Sequence, residues 1–198
     1  MRLMRLIGLT GGIGMGKSTA SAIFRRAGVP VFDADATVHA LQRPGGAAVA
    51  PIARAFPGAV SHGVIDRAAL RAAVLGSPTE LARLEAIIHP LVRAAERRFI
   101  ASARRRGVRL AVLDIPLLFE TGGVGRVDLV VVVSAPPDVQ RARVRGRRRM
   151  SDTEIDAVLA RQMPDSVKRR RADVVVRTGL SRHHAWRDLQ RLIRKLRA

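Results

Sequence analysis

The chain has 198 residues and no cysteine, so one domain with a buried core fits, and disulfides, thiolate metal sites and cysteine nucleophiles are excluded. Lys and Arg total 36 against 16 Asp and Glu, a net charge of +20, so the partners are anionic: a polyanion such as nucleic acid, or small anionic molecules. With six aromatic residues, none of them tyrosine, the chain is poor in base-stacking platforms, and the charge reads as arginine-rich drift serving small anions.

In chain order, Leu6, Ile7 and Leu9 form a short apolar run that predicts a buried strand. Glycines interrupt that run, which argues against a signal peptide, and Met4 is an alternative start. No apolar stretch approaches the roughly 20 residues of a membrane span, and a cytoplasmic protein is expected. Gly11 to Ser18 then fits G-x-x-x-x-G-K-[ST], and the residues from Ser18 to Arg26 read as a helix. Strand, glycine-rich loop and helix together are the setting of a phosphate-binding loop. Gly11, Gly12, Gly14, Met15, Gly16, Lys17, Ser18 and Thr19 are therefore the candidate nucleotide-binding residues. Glycines let backbone N–H groups approach phosphate oxygens, and the helix start adds a positive dipole end. Lys17 supplies a point charge toward the β- and γ-phosphates, and the Ser18 hydroxyl suits Mg²⁺.

Gly28 caps that helix, and Val29 to Phe32 make a second strand that delivers Asp33-Ala34-Asp35 to its carboxyl end. In open parallel sheets ligands bind at that end, although Asp33 or Asp35 can equally cap the helix over 36–41. Residues 42–63, punctuated by Pro and Gly, read as loop, and Ile65 to Leu75 as a helix. Ser77-Pro78-Thr79-Glu80 opens a long apolar stripe through Phe99, which Pro90 interrupts, placing His89 at a break between two helices. Such a histidine either serves a site or simply packs. Residues 109–114 form a strand ending in Asp114, which resembles the Mg²⁺-holding acid of phosphate-loop enzymes or is an ordinary strand-end acid. The loop Ile115 to Glu120 is unusually apolar and suits a pocket wall. Asp128 to Val133 is the clearest buried strand. Two helices follow, rich in arginine at their joint, the second opened by the capping box Ser151-Asp152-Thr153-Glu154; they suggest a lid or a solvated charge run. Val174 to Val176 is a last strand, and an amphipathic helix from Ala185 to Leu196 closes the chain. His183-His184 has no metal-ligand spacing.

Five apolar strands alternating with helices predict an α/β chain with a five-stranded parallel sheet. One phosphate loop, a strand-end acid and an arginine-rich lid suit a small-molecule kinase, with Asp33 orienting an acceptor hydroxyl and a closed lid excluding water. Another acceptor, such as a nucleotide or sugar acid, and an ATP-dependent nucleic-acid-binding protein are the competing readings.

The chained motifs resemble the dephospho-CoA kinases over nearly the whole length: Ile7 to Ser18, Asp33-Ala34-Asp35, Asp66-Arg67 with Leu70, Ile88-His89-Pro90-Leu91-Val92, and Pro116 to Glu120. Gln140, Arg143, Arg147, Gln162-Met163-Pro164, Lys168 and Ala172-Asp173 continue the series. The resemblance implies transfer of the ATP γ-phosphoryl to the ribose 3′-hydroxyl of dephospho-CoA, the last step of CoA synthesis. It implies a P-loop kinase core over about 1–60, 101–139 and 169–198, a helical acceptor-binding region over about 61–100, and a lid over about 140–168. It also implies Asp33, Lys17 and Arg147 as catalytic residues and Arg143 as an ATP contact. Asp33, His89, Arg93, Pro116, Leu117, Leu118 and Phe119 fall on the acceptor side. Ser18 would hold Mg²⁺, as would Asp114, directly or through water. ATP, Mg²⁺ and dephospho-CoA are the expected ligands, with no specific nucleic acid and no membrane; a monomer is expected and an oligomer left open. Met15 stands where the family usually has Ser, Arg177-Thr178-Gly179 where it often has an Asn-Gly turn, and Arg148-Arg149 where an acid is common.

Overall fold

A computed structural model describes residues 4–148, 151–160 and 162–197, with the backbone alone at 147 and 148. In order, the elements are β1 (Arg5–Thr10), α1 (Lys17–Arg26), β2 (Val31–Asp33), α2 (Ala34–Leu41), α3 (Val49–Ala55), β3 (Val60–Ser61), β4 (Val64–Ile65), α4 (Arg67–Val74) and α5 (Pro78–Arg105). Then come β5 (Leu110–Asp114), β6 (Leu129–Ser134), α6 (Pro137–Arg148), α7 (Asp152–Ala160), α8 (Asp165–Arg170), β7 (Val174–Arg177) and α9 (Arg182–Arg197). They divide into two compact units, Met1–Phe32 with Ser102–Ala198, and Asp33–Ala101.

The first unit is built on the five-stranded sheet, in the order β2-β5-β1-β6-β7. The pairs β1–β5, β1–β6 and β6–β7 are all parallel. The expected five parallel strands are therefore present. Their continuous apolar runs follow from burial on both faces: all of β5 and all of β6 beyond Leu129 are buried. Acids fasten the strand starts. Asp128 Oδ2 accepts the Leu6 N–H at 2.7 Å, and Asp173 Oδ2 accepts the Val130 N–H at 2.7 Å. Phe24 of α1 and Leu189 and Ile193 of α9 share one core with Ile7, Val131 and Val176, so the closing helix buries its apolar stripe beside the helix that follows the phosphate loop.

The second unit has its own core of Val49, Ile52, Phe56, Ile65, Leu70 and Ile88. Two expectations are corrected here. Residues 42–63 are not one loop, since they hold α3, a short 3₁₀ turn over Pro57–Ala59 and strand β3. β3 pairs antiparallel with β4 across His62-Gly63, both at positive φ (48° and 75°), as a two-residue hairpin turn of the primed kind requires. Ile65 is therefore in a strand, and the helix starts only after Asp66, whose Oδ1 accepts the N–H groups of Ala68 and Ala69 at 2.8 and 3.1 Å. Second, α5 runs unbroken through Pro90, so His89 does not sit at a helix break. Proline removes one rung of the helix ladder, but Leu84, Ile88, Leu91 and Val92 pack on the same core on either side of it.

Candidate active site

The phosphate loop joins β1 to α1 inside the first unit, and its shape is set by what its carbonyls do. Gly12 O accepts the Met15 N–H at 3.2 Å, and Gly16 O accepts those of Thr19 and Ala20. Ile13 O accepts Gln140 Nε2 at 2.7 Å, Gly14 O lies 3.5 Å from Arg143 Nη1, and Met15 O accepts the Thr178 hydroxyl at 2.7 Å. The N–H and C=O of a peptide point in opposite directions, so carbonyls held against α6 and the turn after β7 turn the amides that follow them the other way. That is an anion cradle. Gly14 has φ +75°, and a Cβ there would lie 2.7 Å from Val144 Cγ2, so only glycine lets the loop lie against α6.

Lys17 opens α1, and its Nζ meets Asp114 Oδ1 at 2.6 Å. Asp114 ends β5 and is 2 % exposed, and its Oδ2 accepts the Ser21 hydroxyl. Ser21 lies four residues after Lys17, on the same helix face, so one buried carboxylate orients the loop lysine and braces the helix behind it. Ser18, one residue on from Lys17, is exposed at the helix start. The residue set therefore fits a Mg-bound nucleoside triphosphate: an amide cradle, a lysine held ready, an exposed hydroxyl and a strand-end acid.

Met15 has its side chain in the core beneath the loop, 2 % exposed, with Sδ accepting the Ala135 N–H at 3.1 Å. The side chain that replaces the usual serine therefore turns away from the cradle. Arg143 lies against the loop and the turn after β7; its Nη2 donates to Thr178 O at 2.7 Å and its Nη1 lies 3.3 Å from Thr178 Oγ1. The turn Arg177-Thr178-Gly179 thus braces the loop through Thr178. Arg147 lies in α6, and its side chain falls outside the described residues. In α6 and α7 Arg145 pairs with Asp152 at 2.5 Å and Arg141 with Asp156, while Ser151 and Glu154 make the expected capping box.

In the apolar loop after Asp114, Leu118 and Phe119 are buried and Leu117 is 40 % exposed, so this segment is mostly packing and not an open apolar wall. The Thr10 hydroxyl donates to Pro116 O at 2.8 Å. Glu120 ends the loop, 2.8 Å from the buried Lys168 Nζ, and accepts the Met163 N–H at 2.9 Å. Burial alone would raise the Glu120 carboxyl, but the Lys168 ammonium and the Met163 N–H outweigh it and hold the group below the ordinary range.

In the second unit, Asp33 is the last residue of β2 and caps α2, its Oδ1 accepting the Ala36 N–H at 2.9 Å. His89 and Arg93, four apart on α5, are both exposed. Ser21, Gln140, Gln162 and Thr178 were not among the predicted site residues. Ser21 had a signal in its i+4 spacing from Lys17, and Gln140 and Gln162 stand in the motif series of the resemblance. Among the described residues no group of three or more His, Asp or Glu is placed to hold a metal, and no helix is long and apolar enough to cross a membrane.

A parallel sheet with the phosphate loop after its central strand, a lysine–aspartate pair and an arginine-bearing helix pair beside the loop define a P-loop kinase fold. The dephospho-CoA kinase family model matches residues 5–182. The dephospho-CoA kinase of Paramagnetospirillum magneticum is 63% identical over 166 residues, 84% of this chain and 78% of that one. That of Gluconobacter oxydans is 54% identical over 98% of both chains. The crystal structure of TT1252 from Thermus thermophilus is 38% identical over 98% of both chains, with a TM-score of 0.84. The chain belongs to the dephospho-CoA kinase family.

Proposed function

We propose that this protein transfers the γ-phosphoryl group of ATP to the ribose 3′-hydroxyl of dephospho-CoA, giving CoA and ADP. The observation that carries the reading is the Lys17–Asp114–Ser21 arrangement behind a loop whose Ile13, Gly14 and Met15 carbonyls are turned outward, in a chain of this family. Amides of the loop over 11–19, other than those of Ile13, Met15 and Thr19 that already donate within the chain, bind the phosphates, and Lys17, steered by Asp114, neutralises charge on the transferring group. Mg²⁺, when bound, would supply further positive charge at the phosphates. The Ser18 hydroxyl would hold it, and Asp114, whose two oxygens already meet Lys17 and Ser21, would reach it through water. Asp33 accepts the proton of the acceptor hydroxyl. Arg143 and Arg147 bring lid charge to the phosphates. His89 and Arg93, in a helical region over about 61–100, bind the acceptor together with Pro116 and the exposed Leu117 of the loop after Asp114, and residues of about 140–168 act as the lid.

The test is a coupled ADP-release assay with MgATP and dephospho-CoA, beside shikimate, gluconate and nucleoside monophosphates as alternative acceptors. Turnover that requires dephospho-CoA is expected. Folded protein that turns over only another acceptor overturns the substrate assignment.

A further inference from the structure

Ile13, in the middle of the phosphate loop, has both of its backbone polar groups taken by side chains distant in sequence. Its carbonyl accepts Gln140 Nε2 at 2.7 Å, and its N–H donates to Gln162 Oε1 at 3.1 Å. The two glutamines come from either end of the lid. Gln140 lies in α6 and is 7 % exposed, while Gln162 follows α7, where the next residue, Met163, is tied to Glu120. A buried primary amide is costly unless bonded, and here its donor end is bonded to the loop. Gly12 supplies an independent observation. A Cβ at Gly12 would lie 3.1 Å from Gln162 Oε1 and 3.3 Å from Gln140 Nε2, so the second glycine of the loop is bare where the two amide heads meet.

We infer that Gln140 and Gln162 are positioning residues: a two-sided clasp on Ile13 that holds the phosphate loop in its nucleotide-binding shape and ties that shape to the placement of α6 and α7. The inference rests on the kinase reading above for the identity of the nucleotide, but not for the clasp itself. The physical logic is pre-organisation. A glycine-rich loop has many accessible backbone states, and two hydrogen bonds to one residue remove much of that freedom before phosphate arrives. Because the amide is asymmetric, the two positions have opposite needs: a donor at 140 and an acceptor at 162.

The experiment compares Gln162→Met, Gln162→Glu and Gln140→Glu with the parent chain, using hydrogen exchange of the Ile13 amide without nucleotide and calorimetric MgATP binding without acceptor. Gln162→Met keeps the side-chain length and removes the acceptor; exchange should quicken on the order of tenfold and the MgATP Kd rise about 3- to 10-fold. The two Glu variants add the same charge beside the loop. A carboxylate still accepts at 162 but cannot donate at 140, so exchange stays near the parent rate in Gln162→Glu and quickens in Gln140→Glu. In steady state, Gln162→Met should raise the MgATP KM more than it lowers kcat, a split that general loss of stability does not produce. Unchanged exchange in Gln162→Met, or equal exchange in the two Glu variants, overturns the clasp. Parent protein that fails to bind MgATP would instead overturn the kinase reading, with the exchange result still deciding the clasp.

Discussion

The Asp33 carboxylate accepts the Ala36 N–H at the start of α2, so Asp33→Ala would uncap a helix as well as delete the proposed proton acceptor. Asparagine caps as well as aspartate but is a far weaker base, which makes Asp33→Asn the clean variant. We expect its melting temperature to stay close to the parent value, its MgATP KM to move by less than about threefold, and kcat to fall by about 10²- to 10⁴-fold. Steady-state kinetics beside a thermal melt check this, and an unchanged kcat would remove Asp33 from the chemistry. Glu120 carries a second prediction at this scale. Its carboxyl is held below its ordinary value of 4.5 in the folded chain, so the ion pair with Lys168 stabilises fully above that value and is lost as pH falls through the lower folded one. Glu120→Gln leaves the Lys168 ammonium, 1 % exposed, without its anion and should cost about 2 kcal/mol at neutral pH. In urea unfolding the difference between parent and variant should be flat from pH 6 to 8 and shrink below pH 4.5. A difference that grows on acidification would contradict the assignment.

Helix α5 continues through Pro90 because its apolar stripe is packed on both sides, so the missing hydrogen bond is a local cost that burial outweighs. Pro90→Ala restores that bond and should stabilise the chain by about 1 kcal/mol or more. Any straightening moves the exposed neighbours His89 and Arg93, so the KM for dephospho-CoA should rise while that for MgATP holds. Urea titration and two-substrate kinetics measure both, and a variant less stable than the parent would show the proline to be required by the packing around it. The same helix shows where sequence patterning stops. The strands, the phosphate loop, the capping box and the acid at the end of β5 all announce themselves through local period or spacing, and the five-stranded sheet follows from them. Local rules misjudge α5, since a proline outweighs a stripe in a short window but not in the packed chain. They also miss α3 and the β3–β4 hairpin, whose turn is His-Gly and not one of the usual Asn-Gly or Asp-Gly pairs. At the site, Lys17 and Asp114 were legible, and their contact was not. Thr178 reaches Met15 across 163 residues and Gln162 reaches Ile13 across 149, distances at which periodicity carries no information.

For the molecule as a whole, the net charge of +20 bears on what else can compete for the protein. Exposed cations occur in both units: Arg67, Arg71 and Arg97 in one, and Arg187, Arg191, Arg194 and Lys195 along α9 in the other. Any polyanion will gather counterion-release energy from such a surface without a specific site. Trp186, stacked on His183, is the single exposed aromatic among the described residues, so the molecule offers no succession of stacking platforms along a strand of nucleic acid. The buried Lys17–Asp114–Ser21 arrangement, by contrast, answers to a triphosphate and depends little on surface charge. Single-stranded DNA should therefore bind at about 50 mM salt, weaken steeply, and be largely released by about 300 mM. At the lower salt it should slow the dephospho-CoA-dependent reaction by crowding anionic substrates off the surface, and at the higher salt it should have no effect. Under neither condition should it raise ATP hydrolysis in the absence of acceptor. Fluorescence anisotropy of labelled DNA, run in parallel with the coupled ADP assay, separates the two outcomes: stimulated hydrolysis would mean that the surface charge and the phosphate loop act together as a nucleic-acid-dependent ATPase, whereas inhibition that vanishes with salt leaves the charge as a background against which a small-molecule kinase works.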